Sequence, residues 1–267
     1  MNNILKLLTK KEILKIFDKK AIEVIEHYLK LNSFSHPEAK TKQKNLKFQT
    51  TKEHMEQWVV QAIGGEPLGA GSYPVDIKTD SFLADIKSMS IKLDKNGLIN
   101  NSESGETSLG QKFKEKNLDE MFVNKEYEKL KRLWIKILKD KYKKAIDDTG
   151  IKKIYFIFLM RADKDYYLLI TKLNYKNISE KTIQVDSKRT SEKSVFLNNF
   201  IDKKYGSVKI YQSKKRLELR LLPKNIIDNS LYYKFKSLHY PNKKDLRFID
   251  LKKHLKEKIK KFFTVFF

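Results

Sequence analysis

The first third of the chain carries two acids and a lysine in the pattern of a β-hairpin. Two runs of β-type residues, Pro74–Lys78 and Phe82–Lys87, flank a polar turn. If the turn has two residues, Asp76 lies directly opposite Asp85, and Lys87 shares the face of Asp85 because side chains alternate along a strand. Opposed carboxylates repel each other, and a hard cation such as Mg²⁺, which prefers oxygen ligands, would remove that repulsion. The spacing therefore predicts a carboxylate pair that binds Mg²⁺, with a lysine beside it.

An acid two residues before a lysine is common in a chain of which 34% is charged, so this tripeptide is not informative by itself. Asp85-Ile86-Lys87 differs from the others in its setting, an apolar strand that follows a partner strand and a glycine-rich segment. The alternative interpretation is a surface charge pair, since structural ion pairs mimic functional sites. Among other positions, the same tripeptide also begins at Asp18, Glu38, Asp76, Asp202 and Asp250.

The hairpin resembles the motif of the PD-(D/E)xK nuclease superfamily, particularly that of the type II restriction endonucleases. Pro74-Val75-Asp76 is similar to the first half of the motif, with Val75 as an extra residue, and Asp85-Ile86-Lys87 is similar to the second half. The resemblance covers residues 50–95 or so. It implies that both acids bind Mg²⁺, that the Ile86 carbonyl is a further ligand, and that Lys87 orients or deprotonates the attacking water. It also implies an α/β core and products with 5′-phosphate ends.

A helix is predicted before the hairpin, over Thr50–Ile63. Thr50 and Glu53 fit a capping box at its start, and the glycines after Ile63 fit its end. Related nucleases often carry an extra acid on this helix, and the resemblance makes Glu56 the candidate for a further metal ligand. The alternative interpretation of Glu56 is a solvated acid at the border of the apolar helix stripe.

The balance of charge favours a polyanionic partner. Lys and Arg number 57 against 33 Asp and Glu, which gives a net charge of +24. Neutralising phosphates releases counterions and drives association, so we expect nucleic acid to be the partner. A proteome-wide bias toward lysine is the alternative explanation. The chain has no cysteine and hence no disulfide framework or thiolate site. It has no signal-like start and no long apolar run, so we expect a soluble, cytoplasmic protein without a membrane partner.

The apolar patterns of the whole chain predict an α/β fold with a mixed central sheet flanked by helices. Lys153–Met160 is apolar almost throughout, as is typical of a strand covered on both faces. We expect a helical N-terminal extension over residues 1–48, a catalytic core over 49–175, and a C-terminal hairpin and helical part of the same domain over 176–267. The predicted helices are one or two within 3–31, one over most of Phe113–Thr149, Val195–Ile201, and a C-terminal one that includes Leu251–Phe266. The other predicted strands are Tyr166–Leu173, Ser207–Tyr211 and Arg216–Leu222, and Ser88–Gln111 is predicted to be a long loop.

These patterns together predict a Mg²⁺-dependent endonuclease that hydrolyses double-stranded DNA, a type II restriction enzyme in particular. A palindromic target would require a homodimer, because the two-fold symmetry of the DNA matches that of the protein. Two alternatives stay open. One is a structure-specific or repair nuclease of the same fold. The other is a basic DNA-binding protein in which Asp76, Asp85 and Lys87 are inert.

Overall fold

The structure is a computed structural model. It describes residues 3–35, 50–68, 73–100, 102–103, 107–109, 118–163, 165–213, 215–236, 256–257 and 259–260. Most of the predicted C-terminal helix therefore lies outside the described residues. The four described positions within it are helical.

The described residues form twelve strands and six α-helices. The strands are β1 (Leu5–Leu7), β2 (Glu66–Pro67), β3 (Ile77–Lys78), β4 (Leu83–Ser90), β5 (Thr107–Ser108), β6 (Ile154–Ala162), β7 (Asp165–Leu173), β8 (Gln184–Val185), β9 (Ser194–Asn198), β10 (Gly206–Tyr211), β11 (Arg216–Leu221) and β12 (Tyr233–Lys234). The helices are α1 (Lys10–Ile16), α2 (Lys19–Ser35), α3 (Lys52–Ile63), α4 (Leu118–Val123), α5 (Tyr127–Thr149) and α6 (Pro223–Asp228).

A mixed sheet of seven strands forms the centre of the molecule. Its order is β1-β7-β6-β4-β3-β2, and β12 pairs with the free stretch of β7. Strands β4 and β6 are parallel, whereas β6 and β7, like β3 and β4, are antiparallel. Strand β6 is buried along almost its whole length, which confirms the prediction of a central strand. The predicted α/β class, a mixed sheet flanked by helices, is confirmed at this level.

Two apolar cores lie on the two faces of this sheet. The core on one face includes buried side chains of α1, α2 and α3, among them Ile13, Ile25 and Val59. The core on the other face includes Trp134 and Leu138 of α5 together with the inner face of a second, five-stranded sheet of order β5-β11-β10-β9-β8. Alternation along β4 places Leu83 and Met89 in the α5 core and Ala84 and Ile86 in the α3 core. Asp85 and Lys87, at odd positions, therefore face α5.

Helix α3 begins one residue later than the sequence predicts. The capping residue is Thr51, whose hydroxyl accepts from the His54 backbone N–H at 3.3 Å. Thr50, the predicted cap, accepts a hydrogen bond from the Asn32 side chain instead. The helix ends as predicted at Gly64, whose φ of 63° is the left-handed conformation that glycine adopts without strain.

Gly65 lets the end of α3 approach the hairpin closely. A Cβ at this position would lie 3.0 Å from Cγ2 of Ile77 and 3.2 Å from the carbonyl oxygen of Lys78. The absence of a side chain at Gly65 therefore allows β2 and β3 to pair directly after the helix.

Several predicted elements are wrong in type or extent. The segment around Ile4 and Leu8 is a strand that pairs with β7, although its spacing suggested a helix. The stretch Val195–Ile201 contains most of β9, a strand paired on both sides, and is not a helix. The helix predicted over Phe113–Thr149 is interrupted between α4 and α5, where Lys125 has a φ of 57°. In the predicted loop Ser88–Gln111, β4 continues to Ser90 and β5 joins the second sheet.

No helix among the described residues is long and apolar enough to cross a membrane.

Candidate functional site

The hairpin has the register that the sequence predicts, but it departs from a regular ladder at Asp76. Lys78 pairs with Leu83 and Ile77 pairs with Ala84. The Asp76 backbone N–H donates to the Ala84 carbonyl oxygen at 2.9 Å. Ala84 is already the ladder partner of Ile77, so this bond is displaced by one residue from the regular pattern. The chain thus bends at Asp76 and does not continue as a strand toward Pro74.

The bend places the Asp76 carboxylate where it accepts a hydrogen bond from the backbone of β4. A regular ladder in this register would place Val75 opposite Ile86. Instead, the Ile86 backbone N–H donates to Oδ2 of Asp76 at 2.6 Å. A charge-assisted hydrogen bond of this kind is stronger than one to a neutral carbonyl, so it fixes the carboxylate beside β4.

Asp85 lies almost entirely inside the protein and contacts two amines. Its residue is 3% exposed. The Lys87 ammonium pairs with Oδ1 of Asp85, and Nζ of Lys141 lies 3.6 Å from Oδ2. Asp85 is also close enough to Asp76 for its charge to act on that carboxyl group. The structure therefore brings together Asp76, Asp85 and Lys87, the three residues that the sequence predicts to form the site.

The environment moves the pKa values of the two carboxyl groups in opposite directions. Burial, and then the charge of Asp85, raises the pKa of Asp76 to about 6. Burial alone would also raise the pKa of Asp85, but the charges of Lys87 and Lys141 hold it below its ordinary value. The pair consequently contains one carboxyl group whose pKa lies below that of an ordinary aspartate and one whose pKa is about 6.

Lys78 does not compete with Lys87 for the carboxylate pair. Its ammonium lies 3.1 Å from Oε2 of Glu66 on the neighbouring strand β2. Its side chain is 38% exposed, whereas that of Lys87 is 17% exposed. Of the two acid-x-Lys tripeptides in the hairpin, only Asp85-Ile86-Lys87 forms an ion pair between its own acid and its own lysine.

Glu56 lies near the pair but forms its own ion pair with the first turn of α3. Its Oε1 is 2.6 Å from Nζ of Lys52. Burial is the largest single influence on the Lys52 ammonium and lowers its pKa, but the bond to Glu56 and the charges of Asp76, Glu56 and Asp85 together outweigh burial, so the net pKa is raised. The charge of Glu56 in turn contributes to the raised pKa of Asp76. Within the part of the chain that the structure describes, no group of three or more His, Cys, Asp or Glu side chains is placed to hold a metal ion, and Glu56 as a further ligand stays a prediction.

Lys141 and Tyr142 of α5 belong to this site, and the sequence did not identify either. Lys141 lies between Asp85 and the Leu109 carbonyl oxygen, which it reaches at 3.4 Å. Burial lowers the pKa of its ammonium, although Asp85 opposes that shift. The Tyr142 hydroxyl is buried without a hydrogen-bond partner among the described residues, and burial followed by the charges of Asp85 and Asp76 raises its pKa well above the ordinary value.

The Ile86 carbonyl points toward the same edge of β4 as Asp76. The Leu83 N–H donates to the carbonyl oxygen of Lys153, just before β6, at 2.8 Å, and the Ile91 N–H donates to the carbonyl oxygen of Arg161 in β6 at 2.7 Å. The backbone groups of odd-numbered residues in this stretch are therefore directed toward β6. Successive residues of a strand direct their backbone groups to opposite edges. The N–H and carbonyl of Ile86 are therefore both directed to the edge where Asp76 lies.

The oxygen donors at this edge fit a hard divalent cation. Asp76 and Asp85 supply two carboxylates, and the Ile86 carbonyl is directed to the same side. Mg²⁺ is usually bound by one or two carboxylates and completes its coordination with water and substrate phosphates. A site with only two carboxylates therefore matches the preference of Mg²⁺, which does not require a cage of protein ligands.

Comparison with known proteins gives no further guide to this site. No family model matches the chain, and neither a curated protein nor a solved structure matches it. Conclusions about function consequently depend on the geometry of the hairpin, of α5 and of the charges between them.

Proposed function

We propose that this chain is a Mg²⁺-dependent endonuclease that hydrolyses phosphodiester bonds of double-stranded DNA. One observation carries the proposal: Lys87 pairs with Asp85 at a bend in the hairpin, and the charges of both act on Asp76, whereas Lys78 pairs with Glu66. Perturbed carboxyl groups with a specific charged partner are typical of functional sites. The net charge of +24 supports a polyanionic substrate.

The roles of the residues follow from their charges and positions. Asp76 and Asp85 would hold the cation together with the Ile86 carbonyl, and the bound Mg²⁺ would polarise the phosphate and lower the pKa of water. The Lys87 ammonium is a hydrogen-bond donor on the same strand face as Asp85. It would orient the attacking water and stabilise the negative charge that develops on the phosphoryl oxygens. The hydrogen bond from the Ile86 N–H would keep Asp76 in place during this reaction.

We further propose a type II restriction enzyme that acts as a homodimer in the cytoplasm. A two-fold symmetric DNA site is read by a two-fold symmetric protein. This part of the proposal rests on the resemblance of the two motif halves to those of restriction endonucleases.

One observation favours a non-catalytic DNA-binding protein as the second candidate. Two lysines, Lys87 and Lys141, already compensate the charge of Asp85 in the absence of a cation. A carboxylate that is fully paired with amines is also what a purely structural ion-pair network contains.

Digestion of plasmid DNA separates these candidates. Purified protein is incubated with a mixture of plasmids and Mg²⁺, with and without excess EDTA, and Asp85→Asn serves as the matched variant. We expect discrete fragments that require Mg²⁺ and the wild-type residue. A smear or cutting at junctions would indicate a structure-specific nuclease, and salt-dependent binding without any cutting would indicate a DNA-binding protein.

A further inference from the structure

Asp85 has a second positive partner that comes from a different element of the fold. Lys141 projects from α5 onto the face of the sheet that carries Asp85, and its side chain is 16% exposed. Its Nζ lies 3.6 Å from Oδ2 of Asp85, while the Lys87 ammonium occupies Oδ1. Each oxygen of this buried carboxylate therefore has its own ammonium partner.

The two amines hold Asp85 in different ways. Lys87 is two residues away on the same strand and contacts Asp85 closely. Lys141 is held at a longer distance, and its ammonium also donates to the Leu109 carbonyl oxygen at 3.4 Å. If the contact with Asp85 is lost, Lys141 keeps an acceptor inside the protein, so its release leaves no buried ammonium without a partner.

A divalent cation and the Lys141 ammonium cannot approach Oδ2 of Asp85 together without strong repulsion. Two positive charges a few ångströms apart repel more strongly in a partly buried site than in water. The carboxylate that would bind Mg²⁺ is thus already paired with a charge of the same sign as the cation.

We propose that Lys141 is an internal counter-cation of Asp85, which a divalent cation must displace in order to bind. This inference rests on the proposed function, because it concerns the same carboxylate pair. In the cation-free protein Lys141 stabilises the buried charge of Asp85. On cation binding its ammonium moves off Oδ2 and keeps its bond to Leu109. The affinity of the chain for Mg²⁺ is therefore lower than two carboxylates alone would give.

The test is calorimetric titration of Mg²⁺ and Mn²⁺ into DNA-free protein at pH 8. The variant is Lys141→Met, which keeps the volume of the side-chain stem and removes its charge. The matched control is Lys139→Met on the exposed side of the same helix. We expect the affinity of Lys141→Met for the cation to exceed that of wild type by a factor of about ten or more. The affinity of Lys139→Met should equal that of wild type. Equal or weaker binding by Lys141→Met overturns the inference.

Thermal unfolding gives an independent readout. With EDTA, Lys141→Met should unfold at a lower temperature than wild type, because Asp85 loses one partner, and saturating Mg²⁺ should reduce that difference. A deficit that Mg²⁺ leaves unchanged would contradict the proposed exchange. If Lys141→Met does not fold, Lys141→Gln is the second variant, with the same expected gain in affinity.

The outcomes distinguish this inference from the proposed function. If wild type binds the cation and Asp85→Asn does not, but Lys141→Met shows no gain, only the role of Lys141 is wrong. If neither wild type nor Lys141→Met binds a cation, the metal site itself is wrong, and the inference falls with it.

Discussion

The Asp76 carboxyl group is the member of the site whose ionised form is disfavoured by its surroundings. Its pKa of about 6 lies above the ordinary value of 3.8, because burial and the charge of Asp85 oppose ionisation. Between pH 4 and pH 6 or so, the folded chain therefore holds a proton that the unfolded chain releases. Without a cation this group makes the protein less stable as the pH rises through that window, and the full cost is present above pH 6.

Replacing Asp76 by asparagine should remove this cost and keep the acceptor for the Ile86 N–H. We expect Asp76→Asn to be more stable than wild type at pH 7.5 in EDTA by up to ~3 kcal/mol, which is the shift of about two pKa units expressed as free energy. The advantage should vanish near pH 4. Urea unfolding at both pH values measures it, with Asp80→Asn in the exposed turn as the control. A pH-independent loss of stability in Asp76→Asn would contradict the raised pKa.

Helix α3 fixes the approach to the hairpin, and its first turn depends on Thr51. The Thr51 hydroxyl accepts from the His54 N–H, one of the four N–H groups that a helix start leaves without a partner. We expect Thr51→Ala to lower the free energy of unfolding by ~1 kcal/mol and Thr51→Ser to be close to wild type. Urea unfolding of the three proteins at pH 7.5 is the measurement. Equal stability of Thr51→Ala and wild type would show that the hydroxyl does not cap the helix.

The sequence predicts elements well where the pattern of the chain is local. The register of the hairpin follows from its turn, and the pairing of Lys78 with Leu83 has that register. The bend at Asp76 does not follow, because a side chain that replaces a backbone acceptor leaves no mark in the apolar pattern. The sequence around Val195 predicts a helix where the structure has a strand, because short apolar runs fit both periods.

The residues of the candidate site, too, could be predicted only where they lie close together in the sequence. Asp76, Asp85 and Lys87 could be predicted because they share one hairpin. Lys141 could not, because it comes to Asp85 through the packing of α5 on the sheet and not through spacing along the chain. Among the many lysines of α5, only contacts in the folded chain distinguish Lys141. The resemblance makes Glu56 a candidate, but nothing in the spacing indicates its partner Lys52.

The net charge of the whole molecule predicts how it binds DNA. With a charge of +24, binding should be dominated by phosphate contacts that release counterions. We expect log K to fall linearly with log[salt], with a slope of about −0.9 for each phosphate neutralised. Binding of Asp85→Asn to a short duplex in EDTA, which prevents cleavage, measures the slope between 50 and 300 mM salt or so. A flat dependence would remove nucleic acid as the partner.

Catalysis by the whole molecule is tested most directly by comparing Lys87 with Lys78. Both follow an aspartate by two residues in the same hairpin, but Lys87 contacts Asp85, whereas Lys78 pairs with Glu66. The measurement is single-turnover cleavage of one plasmid by wild type, Lys87→Ala and Lys78→Ala at saturating Mg²⁺, with DNA affinity and folding checked for each. We expect Lys78→Ala to cut at close to the wild-type rate and Lys87→Ala to cut more slowly by a factor of about 10²–10³, as for the loss of one transition-state contact. Cleavage by Lys87→Ala at the wild-type rate would contradict the assignment of this hairpin as the catalytic site.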